Sequence, residues 1–240
     1  MNQQITLDRL RELKLTGMER VYRSLIGVSP DEQPSTDCLV ARLAEAEYLD
    51  RQQKKMLALT RQSKLRYDAT LEQVYCSTER NFSNDQKTFL ATCDFILRGE
   101  NILVTGPTGT GKSFLACAIG RQACAMGYKT IYLPCNRFLE KLTMAKLQGT
   151  VLKLLNQLEK TQLIILDDFG LQPLSQDARL TLLQILEDRY QRKATIVASQ
   201  LPVEKWYEFI DQPTLADAIC DRLAAKAIRI KLAGKSLRKN

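Results

Sequence analysis

Gly106-Pro107-Thr108-Gly109-Thr110-Gly111-Lys112-Ser113 decides the fold of this 240-residue chain. The stretch matches GxxxxGK[ST], and its flanks are the ones that pattern requires. Residues 101–105 (Asn101, Ile102, Leu103, Val104, Thr105) form a short apolar run of the kind found in buried strands. Residues 114–126 carry Leu115, Ala118, Ile119 and Ala123 at helical spacing. Gly106, Gly109 and Gly111 allow backbone angles that a side chain would forbid, so successive N–H groups can turn inward around phosphate oxygens at the positive end of the helix. Lys112 is then placed to reach the outer phosphates, and the Ser113 hydroxyl to ligate Mg²⁺. Pro107, Thr108, Thr110 and Phe114 complete the loop expected around a nucleotide.

Strand and helix signals alternate from Asn101 onward. Candidate strands lie at 101–105, 130–134, 162–167, 194–199 and 227–232, with helical patterns over 136–160, 175–193 and 202–225. This predicts an α/β P-loop domain over 96–240, built on a five-stranded parallel sheet. Ligands of such sheets bind at the carboxyl ends of the strands, so the polar residues there are the first candidates for function. Leu163-Ile164-Ile165-Leu166 runs into Asp167 and Asp168, about fifty residues after the phosphate loop. Asp167 is expected to hold Mg²⁺ with Ser113, and Asp168 to polarise the water that attacks the γ-phosphate. One strand later, Gln200 is expected to bridge that water and the γ-phosphate. Arg222 and Arg238 are the candidates for arginines that sense the γ-phosphate, and an arginine supplied in trans can raise the rate by several orders of magnitude. No NKxD guanine reader follows the loop, which favours ATP over GTP.

Upstream, residues 1–66 read as a small helical domain. Leu7, Leu10 and Leu13 make one stripe; Met18, Val21, Tyr22 and Leu25 make another after an expected turn at Thr16-Gly17. A long helix is expected from Ser35, Thr36 or Asp37 to about Arg66, with Leu39, Leu43, Ala46 and Leu49 on its apolar face. Residues 67–95 read as a connecting segment with short helices.

Composition excludes several chemistries. There is no histidine, which removes Ser-His and Cys-His nucleophile pairs and HExxH metal sites. Seven scattered cysteines with no CxxC spacing fit reduced core thiols. No run approaches a membrane span, and the N-terminal residues lack the apolar core of a signal peptide, so no membrane association and a cytoplasmic location are expected. The net charge of +8 is uneven: residues 1–95 balance, whereas residues 96–240 carry 21 Lys/Arg against 13 Asp/Glu. Residues 51–66 hold six basic and no acidic residues, and 222–239 hold seven and none. Such clusters on an NTPase point to a polyanion partner.

The ordered segments LKLTGM (13–18), the basic helix, GENILVTGPTGTGKS (99–113), LIILDDFGLQPL (163–174), ASQLPVEKWYEFI (198–210), PTLADAICDRL (213–223) and GKSLR (234–238) span nearly the whole chain. With them the chain resembles the IstB-like ATPases of insertion sequences, relatives of the DnaC helicase loader in the initiator-type AAA+ group. The resemblance implies an N-terminal helical adaptor and an AAA+ domain that forms a homo-oligomer with ATP on duplex DNA. It also implies a helper role beside an IstA-type transposase. Arg222 falls in the segment taken as the arginine finger and Arg238 on the sensor 2 position. Two features depart from the group: only two residues follow Arg238, and Gln200 stands where sensor 1 is commonly Asn. A replicative helicase loader of the DnaC type is the competing expectation, since the ATPase core alone does not separate the two. A small-molecule kinase is a weaker third, because no phosphoacceptor-binding lid is evident.

Overall fold

The computed structural model describes residues 3–29 and 33–237, which divide into two compact units, Met1–Ala58 and Leu59–Asn240. The first unit is helical, with α1 (Gln3–Glu12), α2 (Thr16–Leu25) and most of α3 (Thr36–Ser63). The expected turn at Thr16-Gly17 lies earlier. Lys14 takes a positive φ of 56°, and the Lys14 and Leu15 N–H groups return to the Arg11 and Leu10 carbonyls at 2.9 and 2.8 Å. Gly17 is instead buried in the first turn of α2, where a Cβ would stand 2.3 Å from the Ala46 carbonyl oxygen of α3. Its smallness lets two helix backbones meet. Glu47, buried on α3, accepts from the Gly17 N–H at 2.9 Å and pairs with Arg51 Nε at 2.8 Å. Leu49, expected on the apolar face, is 55% exposed. The inward line runs through Leu39, Leu43, Ala46 and Glu47, and Leu49 lies off it by about two further residues at 100° each.

In the second unit, α4 (Asn84–Ala91) starts at a reciprocal cap: the Ser83 hydroxyl accepts from Gln86 N, and the Gln86 side chain accepts from Ser83 N. A short helix α5 (Asp94–Leu97) follows. Residues between 67 and 95 do more than connect, since Ala69, Leu71, Val74, Phe82, Leu90, Cys93 and Phe95 are all buried in the core of this unit.

The sheet comprises β1 (Ile102–Thr105), β2 (Thr130–Pro134), β3 (Leu163–Phe169), β4 (Ala194–Ser199) and β5 (Ile228–Lys231). All pairings are parallel, in the order β2-β3-β4-β1-β5. Both faces are covered over the inner strands, which explains why β1, β3 and β4 read as largely apolar runs, whereas edge strand β5 alternates Ile with exposed Arg229 and Lys231. Ile102, Val104, Ile165, Ile196 and Ala198 point into one cluster with α6 (Lys112–Ala125). Their neighbours Leu103, Ile164, Leu166 and Val197 point into the other, with α7 (Cys135–Leu147), α8 (Val151–Glu159), α9 (Gln176–Arg189), α10 (Trp206–Ile210) and α11 (Pro213–Ala224).

Two expected helical segments are broken by left-handed residues. Gly149 at φ +64° separates α7 from α8, and Asp211 at φ +52° separates α10 from α11, whose first residue is Pro213. The third strand outruns its expected end at Asp167 and continues to Phe169 through an irregularity between Leu166 and Phe169.

Candidate functional site

Parallel pairing brings three strand ends to one edge. The phosphate loop leaves β1 after Thr105, which stands beside Ser199 of β4, and Phe169 of β3 stands on the other side of Ser199. The loop, Gln200 and Asp168 therefore meet although nearly a hundred residues separate them. They line one cavity of about 350 Å³ together with Lys112, Ser113 and Phe114.

The loop glycines are needed here. Gly106, Gly109 and Gly111 have φ of 148°, 85° and 83°. Added Cβ atoms would meet Leu232 O at 2.3 Å, Ser236 Oγ at 2.2 Å and Arg80 Nη2 at 2.6 Å. Lys112 is largely buried, and its ammonium donates to the Pro107 carbonyl at 2.8 Å, across the mouth of its own loop. The Thr110 hydroxyl donates to the same carbonyl at 2.9 Å. The Thr108 hydroxyl donates to Gln200 Oε1 at 2.7 Å, which leaves the Gln200 amide as a donor.

The two aspartates have different environments. Asp167 is 1% exposed; its Oδ1 accepts from the Asp168 N–H at 2.9 Å and its Oδ2 from the Tyr132 hydroxyl of β2. Burial, reinforced by that hydrogen bond and the Asp167 charge, pushes the Tyr132 phenol well above its ordinary range, so it stays a donor. Asp168 takes a left-handed φ of 57° at the strand irregularity, which turns its side chain out of the strand pattern and into the cavity. There Arg66 Nη1 lies 3.5 Å from Asp168 Oδ2. The Arg66 guanidinium is itself strengthened as a cation, first by its hydrogen bond to Tyr132 and then by nearby Tyr67 and Asp168. A chain of polar contacts thus runs Asp167, Tyr132, Arg66, Asp168. Ser113 and Asp167 offer hard oxygen donors, and each carboxylate oxygen of Asp167 keeps a further lone pair, the donor chemistry that a small divalent cation takes.

Several lining residues carry no sequence signal. Tyr67, Gln73, Tyr75 and Arg80, all upstream of β1, close one side of the cavity. Tyr67 and Phe114 have ring centroids 6.1 Å apart with their planes tilted by 48°, and offer aromatic surface on one side of the cavity. Arg80 is buried and braces the loop, donating to the Thr110 carbonyl at 2.8 Å and to the Tyr75 carbonyl. A lone arginine in an irregular segment has no periodicity to mark it. The chain after β5 also folds over the loop: Leu232 N donates to Thr105 O at 2.7 Å, Leu237 N to Gly109 O at 2.9 Å, and Leu237 lines the cavity.

Arg222 is placed elsewhere. Asn101, just before β1, donates to the Arg222 carbonyl at 2.8 Å, so Arg222 sits at the amino edge of the sheet, opposite the phosphate loop. Its guanidinium is 2.7 Å from Glu187 Oε1, 3.4 Å from Asp221 Oδ2 and over the Tyr190 ring. It does not line the cavity of its own chain. Arg238 lies outside the described residues. No helix among the described residues is long and apolar enough to cross a membrane.

Comparison with known proteins agrees with this architecture. The family described as IstB-like ATP binding protein matches residues 8–240. An insertion sequence ATP-binding protein of Sinorhizobium fredii, y4pL, is 43% identical over 98% of this chain and 96% of its own length. Among solved structures, the DnaC helicase loader superposes with a TM-score of 0.58 at 18% identity, covering 69% of this chain and 97% of that one. AMPPCP-bound DnaA from Aquifex aeolicus gives 0.60 at 22% identity, covering 70% and 51%. At those identities the two structures establish the fold alone, an AAA+ P-loop arrangement preceded here by helices. The full-length match and the phosphate-loop site together place the chain in the IstB-like ATP binding protein family, as an ATPase.

Proposed function

We propose that this ATPase acts in DNA transposition, assembling with ATP on duplex target DNA without reading its sequence and stimulating a transposase of the IstA type. The observation that carries this reading is the split between Lys112, Asp168 and Gln200, gathered at one cavity, and Arg222, held at the opposite sheet edge. An arginine so placed can complete only a neighbour's site, so ATP bound at Lys112 of one subunit and contacted by Arg222 of the next would hold an oligomer together. Arg222 would exchange its pairing with Glu187 for the γ-phosphate. Ser113 and Asp167 would hold Mg²⁺, which supplies charge neutralisation at the phosphates when bound. Asp168 would orient and deprotonate the attacking water, and Gln200, fixed by Thr108, would donate toward the γ-phosphate. The family match favours transposition over helicase loading, because the fold is common to both.

Size-exclusion chromatography with ATP or ADP, with and without duplex, tests the assembly. ATP and DNA together should give the largest species, Lys112→Ala should abolish it, and Asp168→Asn should leave it trapped on DNA. DNA affinity should fall by about 0.9 log units per log unit of salt for each phosphate contacted. A flat salt response, or parental ATP turnover in Asp168→Asn, would refute the corresponding part of the reading.

A further inference from the structure

Two arginines are almost wholly buried among the described residues, Arg80 at 5% exposure and Arg189 at 2%. The chain itself saturates Arg189: the guanidinium donates to the carbonyls of Leu158, Thr161, Gln162 and Ala194, and its Nε to the Thr195 hydroxyl. Arg80 is served far less well. Its Nη2 donates to the Thr110 carbonyl at 2.8 Å and its Nη1 to the Tyr75 carbonyl, while Nε is shut away from solvent with no acceptor. Two of its five N–H groups are therefore engaged, both by neutral oxygens. No carboxylate among the described residues pairs with it. A buried charge left in that state is costly until an anion completes it. The two arginines also differ in what they face, because Arg80 lines the nucleotide cavity and Arg189 does not.

Arg80 and Lys112 are the cationic side chains lining that cavity among the described residues, and they serve different ends of it. Lys112 reaches back across the loop to Pro107, next to Thr108, which holds Gln200. This is the end that Asp168 and Gln200 give to the γ-phosphate. Arg80 attaches at the other end of the loop, at Thr110, with Nη2 lying 2.6 Å from where a Gly111 Cβ would stand, just where α6 begins. Gln73 and Tyr75 line the cavity on the same side. We propose that Arg80 binds the nucleotide directly, as the counter-charge of the phosphate next to the ribose, and so divides the phosphate chain with Lys112. Its three N–H groups without acceptors remain for that phosphate, and a guanidinium suits the oxygens of a phosphate better than a point charge does. ATP and ADP share this phosphate. Arg80 therefore holds substrate and product alike, and the outer phosphates alone distinguish them.

Binding of mant-ADP, followed by fluorescence in the presence of EDTA, and its displacement by ATP, AMP and adenosine are measured for the parent, Arg80→Lys and Arg80→Gln. Melting curves without nucleotide establish that each protein is folded. In the parent, AMP should displace the probe at about tenfold lower concentration than adenosine or better, since a charge-assisted contact separates them. Arg80→Gln should weaken ATP, ADP and AMP by a common factor of about 10–100 and leave adenosine unchanged. Arg80→Lys keeps the charge and should recover part of that loss. A side chain that only braced the loop would give a different pattern, with Lys and Gln failing alike and the loss growing with the number of phosphates. That pattern, or a loss confined to ATP, would overturn the inference. So would equal displacement by AMP and adenosine in the parent, which decides the matter even if neither variant folds. DNA and transposase play no part in these measurements, so all of these outcomes leave the transposition reading standing. A parent that bound no mant-ADP would instead remove the nucleotide site on which both depend.

Discussion

Replacing Tyr132 by Phe removes one oxygen from the interior and leaves the ring where it packs, on the edge strand β2 beside Ile165 of β3 and in the cluster under α6. The lost hydroxyl is a donor to Asp167, a carboxylate shut away from water at the end of β3. Asp167 keeps the Asp168 N–H at 2.9 Å, so the charge is weakened in its solvation and not stripped of it. A hydrogen bond to a charged group contributes about 1.5–3 kcal/mol, and a loss of about 2 kcal/mol is expected here. For a domain of 150–250 residues each kcal/mol moves the melting temperature by about 2–4 °C, so the fall should be about 4–8 °C. Calorimetry or circular dichroism melts of parent and variant measure it. The high proton affinity of the Tyr132 hydroxyl keeps it a donor through neutral and mildly alkaline pH, so the deficit should be the same at pH 7 and pH 9. A melting temperature within about 1 °C of the parent would refute the reasoning, because a carboxylate this buried should not lose a donor at no cost.

Gly17→Ala should disrupt the first unit, since the new methyl meets the backbone of Ala46 and Glu47 within 2.6 Å and backbone does not rotate away. Faster proteolysis within residues 1–58 at an unchanged nucleotide affinity is the expected result; equal protease resistance would contradict the close helix contact. The Glu47 carboxyl is held below its ordinary value of 4.5, first by the Arg51 hydrogen bond and then by the Gly17 and Met18 N–H groups. A lowered folded value means that the stabilisation is full above 4.5 and lost as pH falls through the folded value. Acid melts of the parent should therefore converge on those of Glu47→Gln, whereas a constant gap down to pH 3 would tell against it. Among the cysteines, exposed Cys38 should react with a thiol reagent in the native protein, while buried Cys93 and Cys135, pushed up to about 11 and about 12 chiefly by burial, should not. Their raised values add stability that is present below about 9 and lost as pH climbs toward 11–12, so their labelling at pH 9 should follow unfolding; rapid native labelling would place them nearer the surface than described.

Local pattern was enough to find the inner strands β1, β3 and β4, because both faces of the sheet are buried there, while the edge strand β5 showed instead an alternation of Ile with exposed Arg229 and Lys231. It was enough for the phosphate loop, where glycine is required by φ angles of 83° to 148° and by the atoms pressed against each Cα. It did not locate the breaks at Gly149 and Asp211 or the turn at Lys14, since a single left-handed residue costs little and leaves no periodic trace. Nor did it foresee Arg189, a charged residue wholly buried where its guanidinium collects the carbonyls of Leu158, Thr161, Gln162 and Ala194.

The sequence by itself determined that a nucleotide phosphate loop and an acidic strand end belong to one parallel α/β sheet, because those features are written in residues next to one another. Only the tertiary structure decided that Asp168 points into the cavity while Asp167 stays under Tyr132, that Arg66, Arg80 and Tyr67 join the site, and that Arg222 faces away from it. Those relations depend on strand order and on one irregular turn of β3, which set distances between residues that the chain keeps tens of positions apart.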